Sequence, residues 1–421
     1  MAILLFTVIC LDAVTLSGIP FGNGKYILSN CFILSEIPCW VRHFKSIKKT
    51  ILYSFLMAVI ISTIILLINS PHYNNSISQT IRLFILEGVG KYFALIYSFI
   101  CISSERDLKP AIKISFYGVL LLTAFGVLNL LTRHASFIEA IGTSMGLDND
   151  LASGSTYSES ARFRVQAMFV NPFNYGYVCI MVMLFHVFGY MKGLMQKKKL
   201  YISIVYCLFG IFFCGCRTNI LCLFVGITVF VIIAFKIKKW LNYGLIGIIV
   251  FCLSYATIPF VQEKVDNMTT MFDTSSQYEG SSISMRLLQY TAVFYHIRDH
   301  ELFGRGKDYF LIDLGFAGGR ETMVDRDLWG LEGVGMSLLL ERGIIGLLFY
   351  IIIYFIIIRF TFINRETDKT TSALCLSAIA TYLIFANATG ELGSVYPTLF
   401  IAGICIKLLY LKKSKYKILP H

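Results

Sequence analysis

The sequence predicts an all-α polytopic membrane protein of about twelve transmembrane helices, with two long loops on one side of the membrane. Three observations predict it. Apolar runs of about 18–20 residues recur along the chain. Of the 421 residues, 56% are hydrophobic and only 15% charged, whereas a soluble protein carries about 25% charged residues. Basic clusters fall at every second connection between the apolar runs, which is the asymmetry that orients membrane helices. Residues 1–421 therefore read as one helical bundle, with long loops at about 133–170 and 260–341 that contain short amphipathic helices.

In chain order the spans are expected at roughly 2–17, 25–41, 51–69, 80–102, 113–132, 171–191, 200–215, 218–235, 241–259, 342–360, 370–388 and 394–411. The first, MAILLFTVICLDAV, has no basic region before it and no clear cleavage site, so it reads as a retained helix. One side collects Arg42, Lys45, Lys48 and Lys49, then Arg106, Lys109 and Lys113, then Lys192 and Lys197 to Lys199. Lys236, Lys238, Lys239, Arg359, Arg365, Lys369 and the Lys412–Lys417 tail continue the series. The short connections between, SPHYNNSISQT and NATGELGSVYP, hold no Lys or Arg. The positive-inside rule puts the basic side and both termini in the cytoplasm, and both long loops outside.

Lys plus Arg is 37 against 25 for Asp plus Glu, a net charge of +12. That excess sits in short loops, where it sets topology, so nucleic acid is excluded as a partner. The 12 cysteines all lie in or beside apolar runs, which argues against a disulfide framework. Cys214 and Cys216 have no second pair to complete a zinc site. Inside the spans, Glu87 and Lys91 stand four apart and read as an intrahelical ion pair. Ser153–Ser160 reads as a flexible tip.

Chemistry concentrates on the outer side. Arg162 and Arg164 precede a span that Asn171-Pro172 starts. In an extended segment they share a face and suit a phosphate or carboxylate; the alternative is interfacial anchoring. Arg217 stands at the tight outer turn FFCGCRTNILCL. In the second loop, Ser282 and Ser284 are N-cap candidates for a helix reaching about Arg298. Its apolar face is expected from Ile283, Leu287, Leu288, Phe294 and Ile297, with Arg286 near its anion-attracting start. Gly304 and Gly306 in LFGRG read as a tight turn, and Glu341 as pairing locally where the next span begins. His296 and His300 have metal-ligand spacing, but no third ligand follows, so ordinary polar contacts are expected. From Lys264 to Arg342 the loop is net acidic, so its arginines are individually placed.

Four stretches together resemble the O-antigen ligase and O-antigen polymerase superfamily. They are RVQAMFVNPFNYGYV, the CRT turn, SMRLLQYTAVFYHIRDHELFGRG and LEGVGMSLLLERGIIGLLFY, covering roughly Arg162 to Tyr350. Ligases of this superfamily usually carry a histidine about eleven residues before the glycine of the last motif; counting back from Gly343, this chain has Glu332. The departure points to the polymerase (Wzy-type). The resemblance implies a multi-pass protein of the bacterial inner membrane acting on the periplasmic side. There it would transfer a growing glycan from undecaprenyl pyrophosphate to a sugar hydroxyl of a new lipid-linked repeat unit. The leaving pyrophosphate needs charge stabilisation, which arginines supply without a cofactor or metal. Arg217 and Arg286 are assigned first, with Arg162, Arg164, Arg305 and Arg342 as further phosphate ligands and Glu332 as general base. Partners implied are the lipid-linked oligosaccharide, a chain-length regulator and a flippase of the same pathway.

Three rival readings stand beside this one. A ligase moves the glycan to lipid A-core. A flippase is expected to show internal repeats and charge near the membrane midplane, whereas here charge gathers in the outer loops. A structural partner in glycan assembly would leave the isolated outer arginines unexplained.

Overall fold

A computed structural model describes residues 51–74, 76–134, 163–169, 171–235, 283–316, 323–328, 333–390 and 394–416, with Leu331 and a few positions between Leu253 and Asp266. The first two expected spans, most of the ninth, the Ser153–Ser160 tip, Arg162 and Glu332 lie outside the described residues.

Every regular element among the described residues is helical. In order they are α1 (Ile51–Ile68), α2 (Pro71–Asn74), α3 (Ile77–Phe84), α4 (Lys91–Cys101), α5 (Leu108–Thr132), α6 (Pro172–Met191), α7 (Lys197–Phe213) and α8 (Arg217–Ala234). They continue with α9 (Ile283–His296), α10 (Tyr309–Ile312), α11 (Val334–Ile363), α12 (Lys369–Thr389) and α13 (Val395–Tyr416). Seven are long and apolar enough to cross a membrane: α1, α5, α6, α8, α11, α12 and α13. Each lies on an expected span, and α7, at 17 residues, covers another. The chain is a multi-pass helical membrane protein.

Two expected spans differ in form. The run at 80–102 is not one helix: α3 ends at Phe84, a π-helical turn occupies Ile85–Gly90, and α4 follows. Gly88 and Gly90 weaken the helix there, and a π turn absorbs the strain. Glu87 thus lies in the π turn and Lys91 opens the next helix, not on one regular α-helix as expected. The run at 342–360 follows a break at Gly343 (φ 62°, ψ −165°), and a separate helical stretch from Val334 leads up to that break.

The chain divides into two compact units. The first comprises residues up to Met57, Ile85–Ala234 and Ile353 onward; the second comprises Ala58–Phe84 and Phe235–Ile352. In the first unit, α6 is buried along most of its length and packs against α5, α7, α8, α12 and α13. Small residues allow this closeness, as between helices in lipid generally. A Cβ on Gly226 would sit 2.8 Å from Thr381 Oγ1, and one on Gly403 would strike the backbone at Leu95. Polar ties cross the apolar packing: His186 bonds Ser115 (2.7 Å) on α5 and Ser203 (2.5 Å) on α7, and Tyr177 bonds Thr398 (2.5 Å) on α13.

At one end of this unit a four-member ion network joins connections far apart in sequence. Lys192 pairs with Glu105 (3.1 Å) and Asp368, and Lys412 pairs with the same two carboxylates at 3.1 and 2.6 Å. All four residues come from connections that the basic-cluster pattern assigns to one side of the membrane. Asp368 also caps α12, its Oδ1 accepting from Thr371 N.

The second unit contains its own apolar core. Ala292, Val293 and Ile297 of the α9 segment pack with Leu314, Met323, Leu328, Met336, Leu339 and Leu340. The described residues 283–316 and 323–328 of the second long loop thus pack on the start of α11. The expected apolar face of α9 divides: Ile297 points into this core, while Leu287, Leu288 and Phe294 are exposed. A fourteen-residue helix covering a small core has apolar residues left over on its outer side.

Candidate functional site

In the second unit the site is built from two glycine motifs that complete each other. α11 carries LLLERGIIG, and Gly343 takes a left-handed φ that interrupts the helical hydrogen bonds. The turn HELFGRG fills the gap. Arg305 N donates to Leu340 O (2.8 Å) and Gly306 N to Glu341 O (2.9 Å), so the stranded carbonyls are satisfied. In return, Ile344 N donates to Glu301 O (2.8 Å) and Ile345 N to Leu302 O (3.1 Å). The approach needs glycine on both sides: a Cβ on Gly304 would lie 2.5 Å from Gly343 N, and one on Gly343 would lie 2.5 Å from Leu302 C.

Arg342 is held inside this junction. It is 3% exposed, its Nη1 donates to Ser62 Oγ (3.0 Å), and its stem crosses Gly346, where any side chain would collide with it. Glu341 does not pair locally as expected. Its carboxylate takes Lys307 Nζ at 3.1 Å, an ion pair across 34 positions of sequence. Arg305 closes the end of α9: Nε donates to His296 O (2.8 Å), Nη2 to Arg298 O (3.3 Å), and the guanidinium lies over the Tyr309 ring. His296 pairs with Asp325 (2.9 Å), whereas His300 lines a cleft, so the two histidines serve different surroundings.

The connection after α1 docks here, a contribution that sequence reasoning missed. Asn69 Nδ2 donates to Phe303 O (3.0 Å), Lys307 N donates to Ser70 Oγ (2.9 Å), His72 pairs with Asp313 (2.8 Å) and Tyr73 donates to Asp308. Burial, then the bond to Asp308, pushes the Tyr73 phenol up to about 12, so it stays a neutral donor. The polar run SPHYNN at a tight connection is the signal that could have found this docking.

Arg286 lies in the first turn of α9, and its Nη1 donates to the buried Gln289 (3.1 Å). That turn contains no carboxylate.

In the first unit the other two motifs interlock in the same way. Asn171 Oδ1 accepts from Phe173 N (2.8 Å) and Pro172 opens α6, as the Asn-Pro pair predicts. Val165 N donates to Phe213 O (3.0 Å), and Arg164 lies over the Phe173 ring. Gly215 (φ +67°) turns the chain between α7 and α8, with the Arg164 Cγ 3.1 Å from where its Cβ would be. Arg217 follows as the first residue of α8, again with no carboxylate in the first turn. Asn219 Nδ2 donates to Phe173 O (3.0 Å) and occupies the space left by Gly176. The structure thus brings Arg164 to the turn that Arg217 ends.

Residues 202–351 match a family model described as O-antigen ligase. No curated protein matches the chain. The matched stretch runs from α7 through α9 to the first half of α11, and contains the Arg217 turn and both glycine motifs. Members of this family are membrane glycosyltransferase-like enzymes, polymerases and ligases alike. Over residues 202–351 the chain is similar to this family.

Proposed function

We propose that the protein is a surface-polysaccharide polymerase of the bacterial inner membrane, with both termini cytoplasmic and the long loops periplasmic. The glycan on undecaprenyl pyrophosphate is the donor, and a sugar hydroxyl of a lipid-linked repeat unit is the acceptor. The bond from the anomeric carbon to the phosphate oxygen breaks and its electron pair leaves with the pyrophosphate. The acceptor oxygen bonds to the same carbon, and its proton passes to a base.

One observation carries the reading. α8 and α9 each carry an arginine in the first turn, Arg217 and Arg286. A cation at a helix N-terminus opposes the macrodipole by roughly 0.3–1 kcal/mol. An anion shared between the guanidinium and the first amides reverses that sign. Arg217 and Arg286 stabilise the departing pyrophosphate, with Arg162 and Arg164 as additional ligands. Glu332 is the general base. Arg305 and Arg342, engaged with protein groups, act by holding the junction in shape.

The second reading is a ligase that transfers the glycan to lipid A-core, which the matching family supports equally. Glu332, where ligases carry histidine, favours the polymerase. Complementation of a polymerase deletion separates the two, read as the lipopolysaccharide ladder on a gel. A restored long ladder, reduced to core plus one repeat by Arg217→Ala, Arg286→Ala and Glu332→Gln with the proteins still in the membrane, establishes the polymerase. A wild-type chain that restores ladders only in a ligase deletion establishes the second reading. Full ladders from all three variants would overturn the assigned residues.

A further inference from the structure

A cleft of about 330 Å³ opens where α1 ends, lined by Asn69, Pro71, His300, Arg305, Tyr309 and Asp313. It lies wholly within the second unit. Its floor is rigid, because Gly304 also lines it and is locked against Gly343. No residue of the cleft other than Arg305 was assigned a part in the reaction.

We propose that this cleft seats the sugar that carries the acceptor hydroxyl. The proposal rests on the glycosyl-transfer reading above and adds the acceptor's place to it. A sugar ring presents C–H groups on its faces and hydroxyls, both donors and acceptors, around its edge. The cleft offers the matching set. Tyr309 and Pro71 are flat apolar surfaces, while the His300 ring, the Asn69 amide and the Asp313 carboxylate are polar. Asp313 gives one oxygen to His72, which fixes the carboxylate and leaves Oδ1 to accept from a hydroxyl.

The same geometry argues against pyrophosphate as the occupant. Arg305 already spends Nε and Nη2 on the carbonyls of His296 and Arg298. The Asp313 carboxylate on the lining repels a polyanion. The position suits a lipid-linked sugar, since α1 is a membrane span and the cleft begins at its last residue, Ile68.

The test uses the full-length protein in nanodiscs. The probe is the repeat-unit oligosaccharide released by mild acid from the source cell's lipid-linked pool, with inorganic pyrophosphate as the rival. The wild type is expected to bind the oligosaccharide in calorimetric titration. His300→Ala and Asp313→Asn are each expected to weaken binding by about tenfold, the scale of one lost hydrogen bond to a charged or buried group. His300 is exposed, so His300→Ala should melt like the wild type and remains informative if Asp313→Asn does not fold. Absence of wild-type binding, unchanged binding by both variants, or displacement by pyrophosphate overturns the proposal. Oligosaccharide binding that depends on these residues in a chain that builds no ladder would sink the polymerase reading and leave the sugar cleft standing. A chain that builds ladders, with variants that bind as the wild type does, sinks the cleft alone.

Discussion

The amide of Gly306 donates to the carbonyl of Glu341 at 2.9 Å, across the break that Gly343 makes in α11. A turn and a membrane helix thereby exchange four backbone hydrogen bonds where the helix alone would leave its polar groups unpaired. At the membrane edge such groups are costly, so the interlock stabilises the break that shapes the site.

The interlock predicts unequal costs for glycine replacements of the same kind. Gly306 has φ +91°, and a Cβ there would collide with the Asn69 carbonyl. Gly193 has φ +68°, but nothing lies within 4 Å of its Cβ position. Gly193→Ala is expected to cost only the left-handed strain, about 1–2 kcal/mol. Gly306→Ala should lower the melting temperature well beyond that and abolish ladder formation. Equal melting shifts for the two would show that the turn at Gly306 does not pack tightly on Asn69.

Tyr73→Phe removes the donor to Asp308 and leaves a partly buried carboxylate short of a partner. The expected loss is about 1.5–3 kcal/mol, as for hydrogen bonds to charged groups. Thermal melting gives the magnitude. Limited proteolysis of the connection after α1, faster in the variant, locates the effect.

Asp368 sets an acid limit on the first unit. Burial pushes its carboxyl up, but hydrogen bonds from Lys192 and Lys412 outweigh burial and bring it down to about 2, against an ordinary value of 3.8. A depressed carboxylate contributes stability that is full above about pH 4 and is lost as pH falls through about 2. Melting temperatures of the purified protein from pH 6 to pH 2 should drop over that lower range, and less so in Asp368→Asn. A parallel drop in both would remove Asp368 as the cause.

His186→Leu tests a polar tie that the proposed reaction does not use. Losing the bonds to Ser115 and Ser203 should cost about 1 kcal/mol, the scale of interhelical hydrogen bonds in membranes. The ladder should keep its length. A shortened ladder at unchanged protein level would give His186 a part in function.

Much of this protein was legible locally. The Asn171-Pro172 helix start, the Arg217 turn and the glycines at 304 and 306 are short-range signals, because caps and turns depend on neighbouring backbone alone. The span at 80–102 misled because hydropathy reports burial in lipid and is blind to a π turn within an apolar run. Glu341 misled because its partner Lys307 is near in space and 34 positions away in sequence.

By itself the sequence determined the membrane class and the places of the long apolar helices, since composition and run length follow from solvation of each segment separately. Only the tertiary structure decided that the LFGRG turn repairs the Gly343 break and that Arg342 faces Ser62. It alone showed that His72 meets Asp313 across 241 positions. Those pairings are set by which unsatisfied polar groups the folded chain brings within reach. No local pattern encodes that distance.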